Sequence, residues 1–134
     1  MASTAGGAFG FASGLIIQEF GYDDDVDETL RQAVEAETGT TLVDEDYEDV
    51  ADSAIVWWRD EDGDVDDLTD LLVDAQANLD GAGLIWVLTP KARTTGAVQA
   101  AEVEEAAATA GMHATSAASM GQHLLSAGAK GKRY

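Results

Sequence analysis

The chain has no cysteine, a single proline and few basic residues among its 134 residues. The absence of cysteine excludes disulfides, thiolate metal sites and cysteine nucleophiles, and it removes any support for an oxidising compartment. No apolar run approaches the roughly 20 residues that span a bilayer. Residues 1–14 also lack the Lys or Arg that opens a signal peptide. We therefore expect a soluble cytoplasmic protein.

Negative charge dominates what is present, with 26 acidic residues against seven Lys and Arg and a formal net charge of −19. Segment 19–80 holds 23 of the acidic residues and only two of the basic ones, a local balance of 23 − 2 = 21 negative charges. Such a field repels nucleic acid and anionic membranes and attracts basic protein surfaces, so we expect neither a nucleic-acid nor a membrane partner. The alternative explanation is that the charge only keeps the protein soluble.

The hydrophobic fraction of 46% is that of a folded domain, and the length suits one core. We divide the chain into a flexible arm at 1–13, a single domain at 14–127 and a basic tail at 128–134. The arm is rich in Gly, Ala and Ser, although Phe9 and Phe11 are suited to docking onto the domain.

The hydrophobic pattern alternates between short strands and amphipathic helices. It predicts strands at 15–20, 40–43, 53–58 and 84–88, helices at 24–38, 66–79 and 100–110, and two strands with a turn within 113–127. The strand, helix, strand unit from 53 to 88 has the length of a parallel crossover. The predicted fold class is α/β, a small and mostly parallel Rossmann-like sheet in two or three layers with a C-terminal antiparallel hairpin.

Motifs for catalysis or cofactor binding are missing. A Rossmann ligand site needs several glycines after the first strand, whereas here Gly21 stands alone before three carboxylates that would oppose a phosphate. The acidic stretch 60–66 fails the spacing of a calcium-binding EF-hand loop, and neither His113 nor His123 lies in a catalytic motif. The sequence therefore indicates no catalytic residues, no metal site and no cofactor, and it favours a non-enzyme.

The candidate interaction residues are few, and each also has a purely structural explanation. The acidic run suits the start of the second element, a helix, and the two tryptophans of the central strand should point to opposite sheet faces. If one face is uncovered, its Trp would lie in an apolar patch that anchors partners. Two cations near strand ends could bind an anion or simply neutralise neighbouring acids. These candidates are Asp23, Asp24, Asp25, Trp57, Trp58, Arg59 and Lys91.

Three stretches, QEFGYDDDVDETLR, LVDEDYEDVADSAIVWWRDEDGDVDDLTDLLVDA and GLIWVLTPKA, match a known family in order. Over residues 10–115 the chain resembles the actinobacterial family called domain of unknown function 3052. The resemblance implies an actinobacterial source and an α/β domain, and more distant bacterial relatives are similar to a trimmed methyltransferase-like Rossmann sheet.

Two functional hypotheses follow. The first is a non-enzymatic regulatory or adaptor protein, whose acidic surface meets a basic surface of a protein partner while the aromatic strand supplies apolar anchoring. The second is a domain that binds a nucleotide or methyl donor, or a methyltransferase-like enzyme, at the strand ends near Gly21, Arg59 and Lys91. The second rests on fold analogy alone, which carries little functional weight.

Overall fold

The computed structural model describes residues 11–24, 26–79, 84–90, 98, 100–120 and 123–130. Strands and helices alternate along most of this length, and a short 3₁₀ turn, Asp60–Asp62, precedes the second helix. In chain order the elements are β1 (Ile17–Phe20), α1 (Glu28–Thr38), β2 (Ser53–Trp57), α2 (Val65–Ala77), β3 (Leu84–Pro90), α3 (Ala100–Thr109), β4 (Met112–Met120) and β5 (His123–Lys130).

One five-stranded sheet has the order β1-β2-β3-β5-β4. The first three strands are parallel, with Phe20 of β1 opposite Val56 of β2 and Trp57 opposite Leu88 of β3. β5 lies antiparallel beside β3, and β4 lies antiparallel beside β5. The parallel, Rossmann-like arrangement predicted for the first three strands is therefore confirmed.

Successive segments of the chain add to opposite sides of β1, so the order of strands in the sheet reverses there. Val43 forms an isolated parallel bridge with Gln18 on one side of β1, and β2 then pairs on the other side. The strand predicted at 40–43 is thus reduced to this bridge, because the segment soon turns away into exposed acidic residues. In open α/β sheets such a reversal is where ligands bind, just beyond the carboxyl ends of the strands.

Helices cover both faces of the sheet, so the domain has three layers. Alternation along each strand sends successive side chains to opposite faces. On one face α2 and α3 contribute Leu68, Leu72, Ala75, Val103 and Ala106 to a core with Ala54, Val56, Ile85 and Val87. On the other face α1 contributes Leu30, Ala33 and Val34 to a core with Ile17, Ile55, Trp86 and Leu88.

The first helix begins later than the acidic run suggests. Asp27 is the N-cap, and its Oδ1 accepts a hydrogen bond from the backbone N–H of Thr29 at 2.9 Å. A helix start at Asp24 is therefore wrong, because the cap that satisfies the first free N–H groups lies three residues further on. As a result Asp23 and Asp24 lie in the connection that leaves β1, where both are exposed.

Buried Gln18 fixes the connection after Val43 against the sheet. Its Nε2 donates to the carbonyl oxygens of Asp44 and Tyr47, both at 3.1 Å, and its Oε1 accepts from Asn78 at 3.2 Å. A buried amide that makes several hydrogen bonds holds the segments it joins in one arrangement. The loop that carries Glu45 is thereby held beside the end of β1.

Phe11 confirms that the arm docks in part, since its side chain is buried in the α1 core, while Phe9 lies outside the described residues. No helix in the described ranges is both long and apolar enough to cross a membrane.

Candidate functional site

A cleft of about 250 Å³ opens at the carboxyl ends of β1 and β2, at the point where the chain reverses across the sheet. This is the position at which open α/β sheets bind ligands. The walls combine glycine, aromatic, apolar, cationic and carboxylate residues: Gly21, Tyr22, Asp23, Glu45, Trp57, Trp58, Arg59, Asp62 and Leu71.

Gly21 brings the backbones of the two strands into close approach. Its φ is +77°, a left-handed conformation, and a Cβ added there would lie 2.3 Å from the carbonyl oxygen of Trp57. Only glycine tolerates both conditions without a shift of the backbone. Gly21, the lone glycine after the first strand, is therefore required for the geometry of the cleft wall.

Arg59 extends across this wall and is largely buried, with 8% of its surface exposed. Its Nη1 donates to the carbonyl oxygen of Gly21 at 2.7 Å and lies 3.3 Å from Oδ2 of Asp62. The same Asp62 oxygen accepts the backbone N–H of Arg59 at 3.0 Å. The guanidinium thus forms contacts with Gly21 and Asp62 of the same chain. These contacts lie at the carboxyl end of β1, where open α/β sheets bind ligands.

Three carboxylates, those of Asp23, Glu45 and Asp62, line the cleft. Oδ1 of Asp23 accepts the N–H of Asp24 at 2.7 Å, and Oε1 of Glu45 accepts the N–H of Gly21 at a long 3.4 Å. Among the described lining residues Arg59 is the one cation, and their formal charge is 1 − 3 = −2. The site therefore opposes anionic groups and favours cations.

A partly buried ion pair joins Glu19 and Arg31. Glu19, 5% exposed, accepts Nε of Arg31 at 2.7 Å through Oε2 and Nη2 of Arg31 at 2.9 Å through Oε1. Trp57 Nε1 donates to the same Oε2 at 2.8 Å. The hydrogen bonds from Arg31 to Glu19 raise the pKa of the guanidinium above its usual range. This bidentate arrangement ties α1 to β1 and β2.

Tyr22 stands at the mouth of the cleft with 53% of its surface exposed. The guanidinium carbon of Arg31 lies 4.7 Å from the centre of its ring, within the range of a cation–π contact. Its hydroxyl donates to Oε2 of Glu28 at 3.3 Å. The negative charge of Glu28 raises the pKa of the Tyr22 hydroxyl above 10.0.

The tryptophan prediction is half right. Trp57 and Trp58 do point to opposite faces, one into the α1 core and the other into the α2 and α3 core. Both faces are covered, however, and the residues are 1% and 7% exposed. Neither supplies the exposed apolar anchor that an uncovered face would have given, because helices pack on both sides of the sheet.

The structure brings several other predicted residues together. Asp23 and Arg59 both line the cleft, and Gly21 lies between them in the wall. Asp24 is exposed beside the cleft, whereas Asp25 and Lys91 fall outside the described residues.

Sequence reasoning missed Glu45, Asp62 and Tyr22. Dinucleotide-binding folds place an acidic residue about 20 positions after the glycine turn to bind ribose hydroxyls. Glu45 follows Gly21 by 24 positions and contacts its N–H, so this spacing could have singled it out. Across the described ranges, no group of three or more His, Asp or Glu side chains is arranged to hold a metal ion.

Several solved structures that share the fold are methyltransferases. A magnesium protoporphyrin IX methyltransferase from Synechocystis with bound SAM matches with a TM-score of 0.58 and 9% identity, over 88% of this chain and 71% of that one. A methyltransferase from Pyrococcus furiosus matches with a TM-score of 0.56 and 14% identity, over 90% of this chain and 77% of that one. Identities this low show the fold alone.

Uncharacterised proteins of Mycobacterium bovis and Mycobacterium tuberculosis are each 48% identical to the chain over 101 residues. The matched part covers 75% of this chain and 62% of each relative. The family model described as Protein of unknown function (DUF3052) matches residues 6–128, as the three sequence stretches indicated. The chain is therefore a member of the DUF3052 family, built on a methyltransferase-like Rossmann fold.

Proposed function

We propose that the protein is a non-enzymatic regulatory or adaptor protein that binds a basic surface of another protein through the carboxyl edge of its sheet. The observation that carries the proposal is the excess of carboxylates among the described residues of the cleft. Arg59 extends across its wall and is hydrogen-bonded to Gly21 O, and the carboxylates of Asp23, Glu45 and Asp62 surround it.

The chemistry of this edge is the reverse of a phosphate site. Phosphate-binding turns present unpaired N–H groups at a helix start. Here the N–H of Gly21 faces a carboxylate of Glu45, and the first helix is capped by Asp27. An anionic cofactor would meet repulsion, whereas a basic protein surface would gain from charge complementarity.

The surroundings of the cleft extend the same charge. The described segments 22–24, 44–49 and 60–67 carry many exposed carboxylates. Charged rims chiefly raise the rate and the selectivity of association, and their effect weakens as salt screens them. We therefore expect capture of the partner to be stronger at low salt.

Affinity capture from a lysate of the source organism tests the proposal, with the Asp23→Lys/Asp24→Lys variant beside the wild type. A matched control, Glu104→Lys/Glu105→Lys, changes the net charge equally at two exposed positions on α3. We expect the first variant to lose the partner that the wild type and the control retain. Equal capture by all three proteins would overturn the proposal.

A second candidate function is binding of a nucleotide or methyl donor, as a binding domain or a methyltransferase-like enzyme. The observation in its favour is the position of Glu45 beside Gly21, where related folds hold a ribose. The cleft volume of about 250 Å³ is below the roughly 300–1,000 Å³ of typical ligand pockets, which favours the first proposal.

Thermal unfolding with adenosine or S-adenosylmethionine tests this second function. If it is right, ligand raises the unfolding temperature of the wild type and of Glu104→Gln, and raises that of Glu45→Gln much less. No shift for any of the three proteins would exclude it for these ligands.

A further inference from the structure

We propose that the cleft receives an arginine side chain of the partner. The inference deepens the proposed function, on which it depends for the claim that the ligand belongs to a protein.

The carboxylates of the cleft have acceptor capacity left over. Asp23 uses Oδ1, Glu45 uses Oε1 and Asp62 uses Oδ2 in the hydrogen bonds already described. Within the part of the chain that the structure describes, the second oxygen of each has no hydrogen-bond partner. A cation that enters the cleft can therefore bind these oxygens without breaking an existing hydrogen bond.

The cleft is also lined by apolar surface. Leu71 and Trp58 belong to the α2 and α3 core and contribute to its walls. A volume of about 250 Å³ is small for a cofactor but suits one long side chain. Arginine combines an apolar stem with a charged head, so an apolar wall with a carboxylate rim matches it along its length.

Tyr22 favours arginine over lysine. Its exposed ring lines the cleft, and it already contacts the guanidinium of Arg31. A planar guanidinium stacks on aromatic rings and forms paired hydrogen bonds with carboxylates, whereas an ammonium is a compact and strongly hydrated charge. An incoming arginine would change the combined formal charge of the described lining residues and their ligand from −2 to −1.

NMR titration of the intact chain tests the inference with N-acetyl-arginine amide as the probe. The matched neutral probe is N-acetyl-citrulline amide, which has nearly the same shape but no charge. We expect the arginine probe to shift the amide signals of Gly21 and Tyr22 saturably at low salt, with binding about tenfold tighter than that of citrulline. Equal binding of the two probes would overturn the inference.

Two variants locate the binding. Asp23→Asn/Glu45→Gln should lose most of the response, whereas Glu104→Gln/Glu105→Gln, with the same change of charge on α3, should keep it. Dispersed amide spectra establish that each variant is folded. An equal loss in both variants would show general screening instead of a site and would count against the inference.

The outcomes for this inference and for the proposed function are distinguishable. Arginine binding in the cleft, without any effect of Asp23→Lys/Asp24→Lys on capture, would support the site and overturn the adaptor proposal. Capture that depends on those aspartates, together with equal binding of arginine and citrulline, would support the adaptor proposal and overturn the arginine site.

Discussion

The indole Nε1 of Trp57 donates a hydrogen bond to Oε2 of Glu19 across 2.8 Å, from one parallel strand to its neighbour. The same carboxylate oxygen accepts Nε of Arg31, so one buried acidic residue joins β1, β2 and α1. A buried carboxylate persists only where donors replace the water it has lost. The strands whose carboxyl ends form the cleft are therefore held together by the contacts of Glu19.

Removal of the charge of Glu19 should destabilise the fold. Glu19→Gln weakens both contacts with Arg31 while it keeps the size of the side chain, and we expect a loss of about 1–3 kcal/mol in the free energy of unfolding. Glu28→Gln is the matched control, because Glu28 binds the same Arg31 from an exposed position and should cost less than about 0.5 kcal/mol. Urea unfolding measures both, and equal losses would contradict the role given to Glu19.

Two glycines with similar φ angles should differ in their response to alanine. Gly39 has a φ of +73° and nothing within 4 Å of a Cβ added there, so Gly39→Ala should cost only the roughly 1–2 kcal/mol of a left-handed residue. Gly21→Ala adds a clash with the backbone of Trp57 and should cost clearly more. Thermal or urea unfolding gives both costs, and Gly21→Ala at or below Gly39→Ala would contradict the close approach.

Alanine substitutions at two adjacent residues of α2 should differ in their cost in stability, because one residue is buried and the other is exposed. Leu72 is fully buried, and Leu72→Ala should cost about 2–5 kcal/mol because it leaves a cavity. Val73 is about half exposed, and Val73→Ala should stay within about 0.5 kcal/mol. Chemical unfolding compares the two, and a large loss for Val73→Ala alone would mean that the helix faces are reversed.

The titration of Tyr22 should depend on Glu28. Because the negative charge of Glu28 raises the pKa of the folded-state hydroxyl above 10.0, Tyr22 contributes stability below pH 10.0 that is lost as the pH rises through the folded-state pKa. We expect Glu28→Gln to lower the pKa of Tyr22, measured by NMR of the ring carbons. Glu104→Gln serves as the control, and an unchanged pKa in Glu28→Gln would contradict the contact.

Much of the fold was predictable because buried apolar residues recur in the sequence with the period of a helix or a strand. The stripe of α2 and the apolar run of β2 both follow from patterns that match one type of element. The start of α1 was missed because several acidic residues compete for the N-cap, and only the backbone path selects Asp27. The exposure of the tryptophans was equally undetermined, since alternation gives the face of a residue but not what covers it.

The site was harder to predict because its residues are far apart in the sequence. Gly21 and Arg59 meet only when β1 and β2 pair in register, and Glu45 joins them because Gln18 holds its loop beside the end of β1. The predicted strand ends pointed to Gly21 and Arg59, but the hydrogen bond from Arg59 to the carbonyl of Gly21 needs three-dimensional geometry.

Carbodiimide cross-linking of the captured complex tests the central claim most directly, because it joins carboxylates to amines only where they touch. We predict that cross-linked peptides, identified by mass spectrometry, connect exposed carboxylates of the segments around the cleft, 22–24, 44–49 and 60–67, with lysines of one partner. Cross-links confined to Glu104 and Glu105 on α3 would contradict the claim.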